Sequence, residues 1–223
     1  MNAMTEWYNP DITSASYKEL NKFTHWCNKI FGYYPIIIGG WAVYYYTNQA
    51  QSRDIDLILP TNQDIHQLLL PYYAANQYKS AGLITKEYYK EVQTKNGTDK
   101  IYLDASSYQR KNQLKENSNI ELAWNLLEKN AQEWKTTKFT ARVPLPELLL
   151  LYKVKAFRDR TFDLKTTQSL GRKTYLTAKI EKDTADIQGL QKLKLNKDKL
   201  EQLLQQTKFK KYYNPTILEL EKK

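Results

Sequence analysis

Two aspartates stand two residues apart inside the apolar run DIDLIL, Asp54 and Asp56 among Ile55, Leu57, Ile58 and Leu59. A carboxylate that leaves water without a partner is strongly destabilising, so each needs a counter-charge. In a strand, residues i and i+2 share a face, which sets these two about 6 to 7 Å apart at Cα for a rise of ~3.3 Å per residue. Carboxylates held that close repel, raising the pKa of one unless a divalent cation neutralises both. Oxygen-only ligands suit Mg²⁺ or Mn²⁺. Asp104, which closes a second apolar stretch, KIYLD, supplies a third carboxylate if its strand lies beside the first.

Gly39-Gly40 supplies the complementary half. A glycine pair between a strand and a helix lets backbone N–H groups approach an anion at the helix N-terminus, where the dipole also favours negative charge. Phosphates bound there and bridged to the aspartates by a metal are what phosphoryl or nucleotidyl transfer needs, since that chemistry rests on positioning and charge neutralisation.

The flanking elements fit this placement. Ile36-Ile37-Ile38 reads as a buried strand entered after Pro35, and residues 41–48 as a helix that ends in the polar loop NQAQSR. DIDLIL is the next strand, closed by Pro60, with a helix following over Asp64 to Leu70. Strands over Tyr88 to Thr94 and Lys100 to Asp104 flank the turn-forming KNGTD. Upstream, SASYKELNKFTHWCNKIFGYY places Tyr17, Leu20, Phe23, Cys27 and Ile30 at helical spacing, with Ser14 and Ser16 as caps and Ser16–Glu19 fitting a capping box. Beyond residue 110, helical patterns dominate: ENSNIELAWNLLEKNAQ, PELLLLYKVKAFRDR, RKTYLTAKIEKDTADIQGLQKL and KDKLEQLLQQT. Lys138 to Val143 is a candidate further strand, and the loop around Leu164 to Gly171 a candidate hinge.

Composition narrows the class. Hydrophobic residues at 41% and charged residues at 26% fit a globular protein with a real core and argue against disorder. No apolar run approaches the ~20 residues of a membrane span, and MNAMTEWYNP lacks the features of a signal peptide, so the expected location is the cytoplasm, away from membranes. Cys27 is the one cysteine, which excludes intrachain disulfides and thiolate zinc sites and reads as core filler. His25 and His66 suggest no metal cluster and receive no role. The net charge of +10 is unevenly spread: residues 151–223 carry 18 Lys+Arg against 9 Asp+Glu. That asymmetry reads either as a polyanion surface or as a solvated lysine-rich helical face.

Gly39-Gly40, thirteen intervening residues, Asp54-Ile55-Asp56 and the later Asp104 resemble the signature of the polymerase-β-like nucleotidyltransferase superfamily. GGWAV followed by RDIDLIL is similar to two of its branches, the AbiEii-type toxins of type IV toxin–antitoxin systems and the small antibiotic adenylyltransferases. PELLLLYKVKAFRDR followed by EKDTADIQGL resembles later motifs of the toxin branch. That resemblance implies a triphosphate contact for Lys153, with Lys155, Arg158 and Arg160 as further phosphate contacts. It also implies that Asp183 or Asp186 orients the lysine or the substrate. Asp183 lies on the stripe Leu176, Ile180, Ile187, Leu190, so it points toward the core, with a lysine of the preceding helix as its candidate partner. Read from residues alone, Lys153 and Lys155 are also plain surface lysines, and Lys182–Asp186 an ordinary i,i+4 pair. Many members place Ser after the first glycine; this chain has Gly40 and then Trp41, leaving backbone and lysines to hold phosphate. Trp41 reads as either packing or a base-stacking surface.

The resemblance implies an α+β fold: a polymerase-β-like core with a small mixed sheet flanked by helices over residues 1–143, then a basic helical region over 144–223. It implies metal-dependent transfer of a nucleoside monophosphate from an NTP to an acceptor hydroxyl, releasing pyrophosphate. Asp54, Asp56 and Asp104 would hold Mg²⁺ or Mn²⁺, while Gly39, Gly40 and Lys153 secure phosphates. The basic last third favours RNA, a tRNA 3′ end, over a cationic antibiotic, and a toxin of this branch implies a separately encoded antitoxin. The alternatives are adenylylation of a small molecule or a protein, and a catalytically inert relative that binds nucleic acid.

Overall fold

A computed structural model describes residues 9–49, 51–82, 88–95 and 97–222. The first helix, α1 (Pro10–Phe31), begins earlier than its serines suggest: Asn9 Oδ1 accepts from the Asp11 N–H at 2.9 Å and Pro10 takes the first turn, where its missing N–H costs nothing. Ser16 and Glu19 are therefore a buried face rather than a capping box, a pattern that i,i+3 spacing inside a helix also produces. Leu20, Phe23 and Cys27 are buried as expected, whereas Ile30 is exposed. Gly32, left-handed at φ 71°, ends the helix.

The chain continues as β1 (Ile36–Ile37), α2 (Gly39–Thr47), β2 (Ile55–Leu59), α3 (Ile65–Ala75), β3 (Lys79–Ser80), β4 (Tyr88–Thr94) and β5 (Gly97–Ser107). There follow β6 (Gln113–Leu114), β7 (Asn117–Glu121), a 3-10 turn (Trp124–Glu128), β8 (Ala131–Lys135) and β9 (Thr140–Pro144). Four helices complete it: α4 (Pro146–Thr166), α5 (Leu170–Gln191), α6 (Lys197–Thr207) and α7 (Lys210–Glu221). Asn96 of the expected KNGTD turn lies outside the described residues.

Among the described residues, seven strands form one mixed sheet in the order β3-β4-β5-β2-β1-β9-β8. β1 runs antiparallel to β2 and parallel to β9, β2 is parallel to β5, and the β4/β5 and β8/β9 pairs are hairpins. The fold is α+β, with helices beside a mixed sheet.

The chain divides into two compact units, residues 1–110 with 127–144, and residues 111–126 with 145–223. Residues 111–126 thus group apart from the rest of the first 143. The helix expected over 116–132 is not formed; β7, the 3-10 turn and the start of β8 stand there instead. Ile120 and Leu122 are both buried two residues apart, a strand period, and Asn117, Ser118 and Asn119 compete with helix hydrogen bonding through their side chains. The expected hinge near Leu164 to Gly171 is a short connection inside the second unit, where the Thr167 N–H donates to the Asp163 carbonyl at 2.9 Å and the Asp163 carboxylate pairs with Lys115 and Arg172. Among the described residues, no helix is long and apolar enough to cross a membrane.

Candidate active site

The period of two in β2 sets Ile55, Leu57 and Leu59, all buried, on one face and Asp56, half-buried, with the buried Ile58 on the other; Asp54, half-buried, stands just before the strand. The parallel register sets Asp56 directly opposite Asp104 of β5. Register partners share a face at a strand spacing of about 4.8 Å. Asp56 and Asp104 therefore lie on one face of two adjoining strands, with Asp54 in the bend that leads into β2, the arrangement that makes Asp104 available as a third ligand.

Arginines neutralise two of them. Arg53 Nε donates to Asp54 Oδ1 at 3.2 Å, and its guanidinium lies 5.7 Å from the Tyr102 ring centre. Arg110 Nη1 donates to Asp104 Oδ1 at 3.3 Å and to Ser106 Oγ at 2.6 Å. Among the described residues, no three His, Cys, Asp or Glu side chains converge as a ready-made metal cage. The donor chemistry nonetheless fits a hard divalent ion: oxygen-only ligands on one face, with cationic partners that a metal would replace.

Gly39 is required at its position twice over. Its φ of +65° is one that side chains rarely adopt, and a Cβ placed on it would lie 2.8 Å from Asp56 Cγ and 2.9 Å from Asp56 Cβ. The Ile38 N–H donates to the Asp56 carbonyl at 2.9 Å, fixing the strand end against its neighbour. α2 starts at this contact, and its N-cap, Ile38, offers no side-chain acceptor to the first N–H groups. Trp41, by contrast, is core: fully buried, its Nε1 donates to Ser16 Oγ at 3.0 Å, and its ring packs 5.4 Å from that of Tyr17. Its base-stacking reading is closed.

The second unit gathers the remaining candidates around α4 and α5. Lys153 Nζ, buried, donates to Asp186 Oδ2 at 2.6 Å and lies 3.7 Å from Asp183 Oδ1. Asp183 is buried as its apolar stripe implies, and also pairs with Arg160, while Lys182 reaches Asp186 at 3.2 Å. Burial alone would raise the Asp186 carboxyl; the Lys153 and Lys182 ammonium groups outweigh it and hold the group below the usual carboxylate range. Lys155 is paired to Asp159 at 2.6 Å. Arg158 is engaged by Glu116, donates to Thr216 Oγ at 3.0 Å, and stands 5.1 Å from the Tyr212 ring centre. Lys155 and Arg158 thus have structural partners within their own unit.

Sequence reasoning passed over a cavity of about 660 Å³ in the first unit, whose wall includes Asp104, Arg110, His66, Tyr73 and Tyr88. Burial, Asp104 and Tyr88 together push the Tyr73 phenol upward. No local pattern marks these residues, because the β4/β5 pairing and α3 bring them together.

A solved structure similar to this chain is the crystal structure of an antigenic nucleotidyltransferase-like protein from Paracoccidioides brasiliensis. The likeness has a TM-score of 0.54 at 12% identity, covering 96% of this chain and 93% of that one. The fold is nucleotidyltransferase-like. In this nucleotidyltransferase-like fold Asp56 and Asp104 stand in register on adjoining strands of the sheet, and Gly39, the first residue of α2, lies against Asp56. No protein-family model matches the sequence, and no curated protein matches it either.

Proposed function

We propose that the chain is a metal-dependent nucleotidyltransferase, acting in the cytoplasm, that moves a nucleoside monophosphate from an NTP to a hydroxyl of RNA, a tRNA 3′ end. The observation that carries this reading is Asp56 packed against Gly39 at the start of α2, with Asp104 in register beside it. Gly39 and Gly40 offer backbone N–H groups to phosphate oxygens at the helix start. Asp54, Asp56 and Asp104 would hold Mg²⁺ or Mn²⁺, which supplies charge neutralisation on the triphosphate when bound. Asp104, exposed and at the edge of the set, accepts the proton of the attacking hydroxyl as its oxygen bonds to the α-phosphorus and pyrophosphate leaves. In the second unit, Lys153 is the candidate phosphate contact and Asp186 its positioning residue.

The excess of 18 basic over 9 acidic residues in 151–223 supports RNA as acceptor, and Lys192, Lys194 and Lys197 lie in that segment. The motifs around Lys153 and Asp186 support a toxin role with a separately encoded antitoxin. The test is incubation with Mg²⁺, total tRNA and each α-³²P-labelled NTP, beside an Asp54→Ala, Asp56→Ala double variant. Label entering tRNA with the wild type alone supports the reading. Label moving instead to an aminoglycoside, a lincosamide or a protein replaces RNA as the acceptor.

A further inference from the structure

The large cavity lies against Asp104 but touches neither Asp56 nor Gly39. Its walls combine three chemistries. Tyr73 and Tyr88 stack with ring centres 3.9 Å apart and 10° between planes, and the Tyr88 hydroxyl shares a 3.2 Å hydrogen bond with His66 Nδ1, which gives an aromatic wall. Gln109, exposed, and Ser107 add hydrogen-bonding groups, and the exposed Arg110 adds a cation at the rim. At about 660 Å³ the space matches a small-ligand pocket.

We propose that this cavity is the acceptor subsite and that it takes the 3′-terminal nucleoside of an RNA strand; this rests on the nucleotidyltransferase reading. The base packs on the aromatic wall, where stacking tolerates any base, and the strand's last phosphate meets Arg110. Its ribose hydroxyl lies toward Asp104. The 3′-oxygen then bonds to the α-phosphorus, the bond from that phosphorus to the β-bridging oxygen breaks, pyrophosphate leaves, and the hydroxyl proton passes to Asp104. His66 and Tyr88 are then acceptor-binding residues.

The probe is a five-nucleotide RNA ending in 4-thiouridine, photo-crosslinked to the full chain and mapped by mass spectrometry, with label transfer from α-³²P-NTP to the same RNA measured in parallel. The expected adducts fall on His66, Tyr88 or the 104–110 segment, and their yield drops about tenfold in Tyr88→Leu. Because Tyr88 also carries the stack on Tyr73, Gln109→Glu is the second variant: a negative rim charge repels the strand and lowers the yield in a chain whose buried packing is untouched. Adducts confined to other residues, unchanged yields in both variants, or no adducts at all overturn the subsite. Transfer with adducts elsewhere leaves the transferase reading standing without this subsite; cavity adducts without transfer show an RNA-binding cavity and overturn its role as the acceptor subsite.

Discussion

Gly39 and Asp56 occupy the same small volume: a Cβ on Gly39 would sit 2.8 Å from Asp56 Cγ, so the glycine exists to let the carboxylate lie against the start of α2. The glycine pair and the Asp-x-Asp are thus one structural unit rather than two motifs.

Gly39→Ala tests that unit. The left-handed φ of 65° and the collision with Asp56 both oppose a methyl group. Stability should fall by more than ~1 kcal/mol in urea unfolding, and nucleotide transfer should fall by a larger factor than stability explains, because Asp56 must move.

The Lys153–Asp186 pair should behave as a buried ion pair. Removing one partner unbalances a buried network in which Lys182 still meets Asp186 in Lys153→Met, Asp183 still meets Lys153 in Asp186→Leu, and Arg160 still meets Asp183 in both, so the cost should stay below the roughly 3–5 kcal/mol of an isolated buried pair. The double variant should cost less than the sum of the two, measured by chemical denaturation in a full cycle.

The same pair fixes a pH dependence. Against its own burial, the folded Asp186 carboxyl is held below its ordinary value by Lys153 and Lys182. The unfolded group titrates near ~3.9. Its contribution to stability is therefore present above that value and lost as pH falls through the lower folded one. Unfolding free energy should decline as pH drops below about 4, and that decline should be shallower in Asp186→Asn. Asp163, likewise held down against its burial by Lys115 and Arg172, adds in the same direction.

Trp41 should matter for folding and not for nucleotide recognition. Trp41→Ala removes a fully buried ring and orphans Ser16 Oγ, which should cost about 3–5 kcal/mol. Trp41→Phe should cost less and leave the KM for NTP at the wild-type value.

RNA affinity should depend on the basic stretch from the end of α5 to the first residue of α6. The triple variant Lys192→Ala, Lys194→Ala, Lys197→Ala should bind tRNA more weakly than the wild type, and its affinity should respond less steeply to salt. In a salt titration, the slope of log K against log salt should shrink by about 0.7 to 0.9 for each phosphate that these lysines neutralise.

Local chemistry made part of this legible. The Gly pair, the Asp-x-Asp and the strand that holds Asp104 each carry their signal within a few residues, and the helices Pro146–Thr166 and Lys197–Thr207 form where the apolar patterns over 146–160 and 197–207 place them. Other features depend on partners distant in the chain. Arg158 has Glu116 and Tyr212 as partners, 42 and 54 residues away in the chain, which no local pattern reveals. α7 runs through Pro215, with Tyr213, Thr216 and Leu220 buried, so propensity alone hides it. His66 carries no role in a linear reading because its partner, Tyr88, stands 22 residues away.

The most direct test of the central claim is pyrophosphate release from NTP in the presence of Mg²⁺ and tRNA, compared between the wild type, Asp56→Asn and Asp198→Asn, the last an exposed first-turn residue of α6. Mg²⁺-dependent release is expected from the wild type and Asp198→Asn, with a large loss in Asp56→Asn. Release from Asp56→Asn at the wild-type rate would contradict the assignment of Asp56 to the metal site and, with it, the nucleotidyltransferase reading.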